Sequence, residues 1–231
     1  MRNFAFIFAR GGSKGLPKKN VKLLAGKPLI QYSIDTAKNV DSIEKVFVST
    51  EDKEIAEIAV KAGAEVIARP EELASDASPE WLSWKHAIGW AGEKYGEFDN
   101  FISLPATSPL RSTEDVKAAI KQKNEIKSDI CISVTEASRS PYFNMITLSE
   151  NGIASLVCKP KAGIARRQDA PVVYDITTVV YVASPSFIVN SSGLFEGIVT
   201  TVEIPKERAV DIDDIFDFKL AELIVKGQLN A

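Results

Sequence analysis

One segment concentrates the residue types that phosphate chemistry needs: Ala9-Arg10-Gly11-Gly12-Ser13-Lys14-Gly15-Leu16-Pro17-Lys18-Lys19-Asn20. It follows an apolar run, Phe4 to Ala9, without a break. Glycines let a backbone approach a ligand closely and present its N–H groups as an anion nest. The cations Arg10, Lys14 and Lys19 would then neutralise phosphate oxygens. Neither the Walker A spacing nor the dinucleotide fingerprint is present. Taken alone, the same composition also suits a basic, solvated turn.

A second segment is Val210-Asp211-Ile212-Asp213-Asp214. In an extended chain Asp211 and Asp213 fall on one side, where two carboxylates repel unless a cation sits between them. Mg²⁺ takes hard oxygen ligands and keeps water and substrate phosphate as well. An acidic helix start is the alternative for the pair, and Asp214 suits that role. A third cluster is Arg166-Arg167-Gln168-Asp169. Adjacent guanidiniums can bind a carboxylate or phosphate bidentately, although an isolated Arg pair is more often solvated. Arg69 follows an apolar strand, and alone says little. The one histidine, His86, has no partner for a recognised site and is read as a structural helix residue. No serine has a partner base, so no hydrolase triad is arguable.

These segments need a scaffold, and the chain supplies a repeating one. Phe4 to Ala9 predicts a central parallel strand covered on both faces. A helix opening at Pro28 carries Ile30, Ser33, Ile34 and Ala37 on one face. Val46 to Ser49 is a strand, and Thr50 is the expected cap of a helix bearing Ile55, Ile58, Ala59 and Ala62. Gly63 ends it, and Ala64 to Ala68 is the next strand. Ser78 and Pro79 are the expected N-cap and first residue of a helix with Trp81, Trp84, Ile88 and Ala91 turned to the core. Phe101 to Leu104 is a strand, Ser112 caps a helix to about Lys123, and Ile130 to Val134 is another strand. Alternation of this kind predicts a mostly parallel sheet with helices on both faces. Ligands of such sheets sit at the carboxyl ends of the strands, so the loops after Ala9, Ser49, Ala68 and Leu104 are the ones to search.

The pattern changes near residue 138. Met145 to Leu148 and Ile153 to Val157 flank Asn151-Gly152, a hairpin signal, so a small antiparallel insert is expected. Val172 to Val182 returns to the main sheet and Val199 to Ile204 follows. A final helix is expected to show Phe216, Leu220, Leu223 and Ile224 on its inner face. The 231 residues then form a single domain, 1–231, with 138–171 as a small lobe.

Composition narrows the function classes. Lys+Arg total 28 and Asp+Glu 31, a formal charge of −3, which argues against nucleic acid or an anionic membrane as partner. Two cysteines without metal spacing argue against a zinc site or disulfide framework and for a reduced, cytoplasmic setting. Phe4 to Ala9 is too short for a signal peptide, and no stretch approaches the ~20 apolar residues that span a bilayer.

Taken in order, the glycine-rich loop, Val48-Ser49-Thr50, Arg69-Pro70-Glu71-Glu72-Leu73-Ala74, Thr107-Ser108-Pro109-Leu110-Arg111, Arg166-Arg167-Gln168-Asp169 and Val210-Asp211-Ile212-Asp213 resemble the acylneuraminate cytidylyltransferase (CMP-sialic acid synthetase) family. The resemblance implies a fold: an α/β nucleotidyltransferase three-layer sandwich, with a mostly parallel sheet and a small antiparallel dimerisation insert in a homodimer. It implies an activity, transfer of CMP from CTP to the anomeric hydroxyl of a nonulosonic 2-keto sugar acid. It implies a nucleotide site of Ala9, Arg10, Gly11, Gly12, Ser13, Lys14, Lys19, Asn20 and Arg69. Catalysis would rest on Arg10, Lys14, Lys19, Asp211 and Asp213, the last two holding Mg²⁺ (or Mn²⁺). Pro105, Thr107, Ser108, Arg167, Gln168, Thr177 and Tyr181 would face the sugar acid, Arg167 and Gln168 from either subunit. The chain departs from the sialic pattern at Pro105 (commonly glutamine), at Thr177-Thr178 (commonly Asn-Gly) and at Glu80 (commonly small and polar). Pro141-Tyr142-Phe143-Asn144 and Tyr174-Asp175 look more like synthetases for legionaminic or related acids. The competing readings are an enzyme for the eight-carbon acid KDO or a sugar 1-phosphate, and a catalytically silent nucleotide-binding protein.

Overall fold

The computed structural model describes residues 1–12, 15–75, 78–159 and 166–228. The chain begins with β1 (Asn3–Phe8), the short strands β2 (Leu23–Leu24) and β3 (Lys27–Pro28), α1 (Leu29–Lys38) and β4 (Ile43–Thr50). It continues through α2 (Lys53–Lys61), β5 (Glu65–Ala68), α3 (Glu80–Tyr95), β6 (Asn100–Ser103), α4 (Thr113–Ile126) and β7 (Ile130–Glu136). The hairpin β8 (Ile146–Leu148) and β9 (Ala154–Leu156) precedes β10 (Tyr174–Ala183), α5 (Pro185–Asn190), β11 (Val199–Glu203) and α6 (Ile215–Val225).

Seven strands form the main sheet in the order β11-β7-β10-β6-β1-β4-β5. Every pair is parallel except those of β10, which runs antiparallel to β6 and β7. Alternation along the strands sends side chains to two faces. On one, Ala5, Ile7, Val48 and Ile102 pack with α1, α2 and α4 through Ile34, Ile55 and Val116. On the other, Phe4, Phe6, Phe47 and Phe101 pack with α3 and α5 through Trp84, Ile88 and Phe187. The ring of Phe6 lies 5.1 Å from that of Phe47 and 4.8 Å from that of Phe101, stacked with both, a geometry favourable beyond area burial. The three-layer sandwich read from the sequence is the architecture found.

A third, smaller core matters more for function. Leu16 from the glycine-rich loop, Ile212 from the acidic segment, Leu24, Leu29, Phe218 and Ala221 pack together. It binds the two segments singled out for chemistry to each other, although nearly 200 residues of sequence separate them.

Local signals needed correction at three points. Asp52, not Thr50, caps α2, accepting from Ile55 N at 2.9 Å; the Thr50 hydroxyl accepts from Asp52 N instead. Pro79 is the N-cap of α3 and Glu80 its first residue, one position later than expected. On α6, Phe218 and Ala221 face inward, whereas Phe216, Leu220 and Leu223 are exposed. Ser112 does cap α4, in a capping box with Asp115, and Asp214 caps α6 in the same way with Asp217.

β10 carries the largest irregularity of the sheet. Ile176 pairs with Val134 and Tyr181 with Ile132, so β10 holds three more residues than β7 over this stretch. Excursions of this kind re-aim side chains near sites. The Ser133 hydroxyl fills it, donating to Thr177 O and accepting from Val180 N and the Thr177 hydroxyl.

Candidate active site

The glycine-rich loop leaves β1 at the carboxyl edge of the sheet. Ala9 N donates to Ser49 O at 3.1 Å, and Gly11 N to the Glu51 carboxylate at 2.7 Å. Asn20 returns to close the loop, donating to Arg10 O at 3.0 Å. A Cβ at Gly12 would meet open space. Ser13 and Lys14 lie outside the described residues. Gly15 is confined: a Cβ there would collide with the carbonyl oxygen of Asp213. Gly15→Ala is therefore expected to push the loop off the acidic segment, costing about 1–3 kcal/mol in a thermal melt and about tenfold or more in turnover.

Lys19 bridges the same two segments. Its side chain is buried, donates to Ile212 O and stands 3.5 Å from Asp213 Oδ1. Ile212 N donates in turn to Thr107 O at 2.8 Å, tying the acidic segment to the loop after β6.

Asp211 is the most unusual carboxylate of the group. Burial raises its pKa, and the charge of Asp213 adds to this; hydrogen bonding from Thr107 and Thr178 and the charge of Lys19 oppose it. Even so, its Oδ1 is buried with no hydrogen-bond partner. A buried, unpaired carboxylate oxygen is costly and fits a cation ligand. Asp213 beside it has a side chain 81% exposed, so the pair presents one inner and one outer carboxylate. Among the described residues no group of three or more His, Cys, Asp or Glu converges. Two carboxylates, with water and phosphate completing the shell, are a Mg²⁺ donor set; the residues present fit such an ion.

Thr178 was not foreseen in this place. Thr177 is buried with its hydroxyl on Ser133, whereas Thr178 lies 2.6 Å from the Ser108 hydroxyl and beside Asp211. The guanidinium of Arg111 fixes this region from beneath. It is buried and donates to Val179 O, Thr178 O, Pro105 O and the Ser33 hydroxyl. Burial pushes its pKa down to about 9, with Asp115 and Asp211 pulling back, which leaves it charged at neutral pH. Pro105 contributes its carbonyl, which also accepts from Ser33.

Arg69 follows β5 and is 8% exposed. It donates to Ser49 O at 2.7 Å and Ser49 Oγ at 3.2 Å and lies 5.7 Å from the ring centre of Phe8. With Phe8, Arg10, Ser75, Ser78, Glu80 and Ser83 it lines a cavity of about 290 Å³. Tyr181 packs against Trp84 at 5.6 Å; burial, with Glu80 and Asp211, pushes its hydroxyl up to about 12.

The small lobe stands apart. Arg167 and Gln168 lie in a 3-10 turn, Arg167–Asp169. Arg166 is paired bidentately with Asp169 at 2.9 Å. Gln168 lines a separate cavity of about 380 Å³ with Glu136, Arg139, Ser140 and Val172. Gln168 thus does not share the cavity of Arg10 and Arg69.

A cytidylyltransferase family model matches residues 4–176. The chain belongs to the cytidylyltransferase family. It is 33% identical over 223 residues, 95% of this chain and 93% of the relative, to post-translational flagellin modification protein B of Campylobacter coli. It is 32% identical over 222 residues, 95% and 93% of the two chains, to the CMP-N,N'-diacetyllegionaminic acid synthase of Campylobacter jejuni. In fold it is similar to CMP:2-keto-3-deoxy-manno-octonic acid synthetase solved with CTP, with a TM-score of 0.72, 17% identity, and coverage of 99% of this chain and all of the other. A cytidylyltransferase of this fold is a nucleotidyltransferase enzyme, as the resemblance implied. No described helix is long and apolar enough to cross a membrane.

Proposed function

We propose that this cytidylyltransferase transfers CMP from CTP to the anomeric hydroxyl of a nonulosonic acid of the legionaminic type, releasing pyrophosphate. The supporting observation is the convergence of the glycine loop, through Gly15 and Lys19, on the acidic segment Asp211–Asp213, where the buried Oδ1 of Asp211 has no partner. A relative named for CMP-N,N'-diacetyllegionaminic acid supports the acceptor class, and the departures at Pro105, Glu80 and Thr177-Thr178 support an acceptor other than N-acetylneuraminate.

In this reading the loop from Ala9 to Asn20, Lys14 included, cradles the triphosphate, and Arg10 and Lys19 neutralise its oxygens. Asn20 and Arg69 hold the nucleoside. The anomeric oxygen attacks the α-phosphorus, the bond to the β-phosphate oxygen breaks in line, and the hydroxyl proton leaves to solvent. Charge grows on the phosphoryl oxygens during this step, and fixed cations stabilise it. Asp211 and Asp213 would hold a divalent cation, which supplies charge neutralisation and polarisation when bound. Thr107, Ser108 and Thr178 border the acceptor side, and Tyr181 lies between the two sides. Residues 138–171 form the dimerisation lobe of a homodimer: Met145, Ile146, Leu148 and Ile153 are exposed there in the single chain. Arg167 and Gln168 would then face the acid from that lobe.

The test is pyrophosphate release from CTP and Mg²⁺ with N-acetylneuraminate, legionaminate, pseudaminate, KDO and a sugar 1-phosphate. Preference for legionaminate is expected. Turnover with KDO or a sugar 1-phosphate and none with the nine-carbon acids would overturn the reading.

A further inference from the structure

Between β11 and α6 the chain forms neither strand nor helix from residue 204 to 214. β11 is the outermost strand of the sheet, whereas Ile212 meets the loop after β6. The chain therefore crosses the carboxyl edge past β7 and β10, about 14 Å at ~4.8 Å per strand, with no ladder to hold it. Two pins bracket Asp211 on this crossing. Downstream, Ile212 is held by Thr107 and Lys19. Upstream, residues 205 to 209 form a turn, closed by Arg208 N and Ala209 N on Pro205 O at 2.9 and 3.2 Å. The Arg208 guanidinium leaves that turn to grip Asp115, Nε on one carboxylate oxygen and Nη2 on the other, both at 2.9 Å. Asp211 hangs between the pins, three residues after Arg208 and one before Ile212.

Asp115 is the third residue of α4, the helix that opens directly from the loop of Thr107 and Ser108. Asp115 is buried and Arg208 half-buried, and Ser112 N donates to the same carboxylate at 2.8 Å. The Asp115 charge also reaches Arg111, whose guanidinium holds Pro105 O and Thr178 O. The contact thus joins the segment that bears Asp211 to the helix and loop that border the acceptor side. Ion pairs taken out of water add little net stability, because desolvation offsets attraction. What a bidentate fork adds is fixed geometry. On the reading that Asp211 and Asp213 hold a divalent cation, we propose that Arg208 is a positioning residue: its fork on Asp115 sets the Asp211 carboxylate at a fixed distance from Thr107 and Thr178. Arg208 acts through the backbone it anchors. Without the fork, the stretch from 204 to 211 swings about Ile212, and Asp211 leaves the hydrogen bonds that Thr107 and Thr178 give it. Mg²⁺ demands near-ideal octahedral geometry, so a small displacement of one ligand costs affinity.

Wild type is compared with Arg208→Lys, with Arg208→Met combined with Asp115→Asn, and with Arg208→Lys in an Asp211→Asn background. Lysine keeps the charge and loses the fork. The Met and Asn combination leaves no charge unpaired and keeps an acceptor for Ser112 N, so it should melt close to wild type. Pyrophosphate release gives kcat and KM for CTP, and melts against Mg²⁺ alone give the half-saturating concentration without turnover. Both Arg208 variants are expected to lose about 10–100-fold in kcat, with KM for CTP within about twofold, and to need about tenfold more Mg²⁺. In the Asp211→Asn background, Arg208→Lys should cost no more than about twofold, since the residue it places is already disabled. A full further loss there would overturn the proposal. So would wild-type kcat and Mg²⁺ midpoint in the folded variants beside a lowered melting temperature, the signature of a merely structural pair. If no acid on the panel gives pyrophosphate, the transferase reading fails on its own and the Mg²⁺ midpoints decide the role of Arg208. If Mg²⁺ leaves the wild-type melt unchanged, the cation reading fails and the Asp211→Asn background decides it.

Discussion

The Asp211→Asn variant is expected to lose about 10²–10³-fold or more in turnover while keeping a cooperative fold. Asparagine keeps the shape and the contacts with Thr107 and Thr178 but removes the charge that would hold a cation. The effect on stability has the opposite sign to the effect on rate. Folding raises the Asp211 carboxyl, so its contribution is most favourable at low pH and falls as pH rises through the raised value. Asparagine is neutral throughout. The variant should therefore melt at or above the wild-type temperature at neutral pH, with a gap that opens as pH rises from the ordinary carboxylate range through the raised value and is constant above it. Mg²⁺ should raise the wild-type melting temperature and leave that of the variant nearly unchanged. Steady-state pyrophosphate release and melts with and without Mg²⁺ measure all of this. Full activity in the variant would remove Asp211 from the metal assignment.

Lys19→Ala is the second large loss expected, about 10²–10³-fold in turnover. The ammonium is buried between the glycine loop and the acidic segment and is aimed by Ile212 O. Lys19→Arg should not restore activity, because a planar fork cannot replace a compact ammonium in that space. The ion pair with Asp213 does not account for the loss. Asp213 is mostly solvated and 3.5 Å away, and exposed pairs are worth about 0–1 kcal/mol. Melts of Lys19→Ala, Asp213→Ala and the double variant should add to within about 0.5 kcal/mol. A large coupling would make Lys19 chiefly a partner of Asp213.

The sheet and the glycine loop were legible because their signals are local: an apolar strand, then glycines and cations in one window. The hairpin at Asn151-Gly152 was legible for the same reason. Four features were not. The inner face of α6 was misread because Ile215–Val225 carries apolar residues on both sides, and only packing against Leu24, Leu29 and Ile212 selects Phe218 and Ala221. The cap of α2 was misread because Thr50 and Asp52 are both good caps, and Thr50 is still the last residue of β4. Thr178 was missed in favour of Thr177 because its direction depends on three extra residues in β10 relative to β7, a count that exists only once two distant strands are paired. Lys19 was foreseen as a phosphate ligand; its anchor on Ile212 was not, since nothing local links positions so far apart.

The excursion of β10 makes two distant positions vary as one. Arg111 gives hydrogen bonds to the carbonyls of Thr178 and Val179, so a shorter strand would strand a buried guanidinium, a loss of several kcal/mol when a buried charge loses its partners. A longer or shorter segment at 177–179 is therefore admissible only alongside a change at 111. Homologues that keep arginine there should keep the length of the excursion as well, and vary in this stretch only by exchanging side chains.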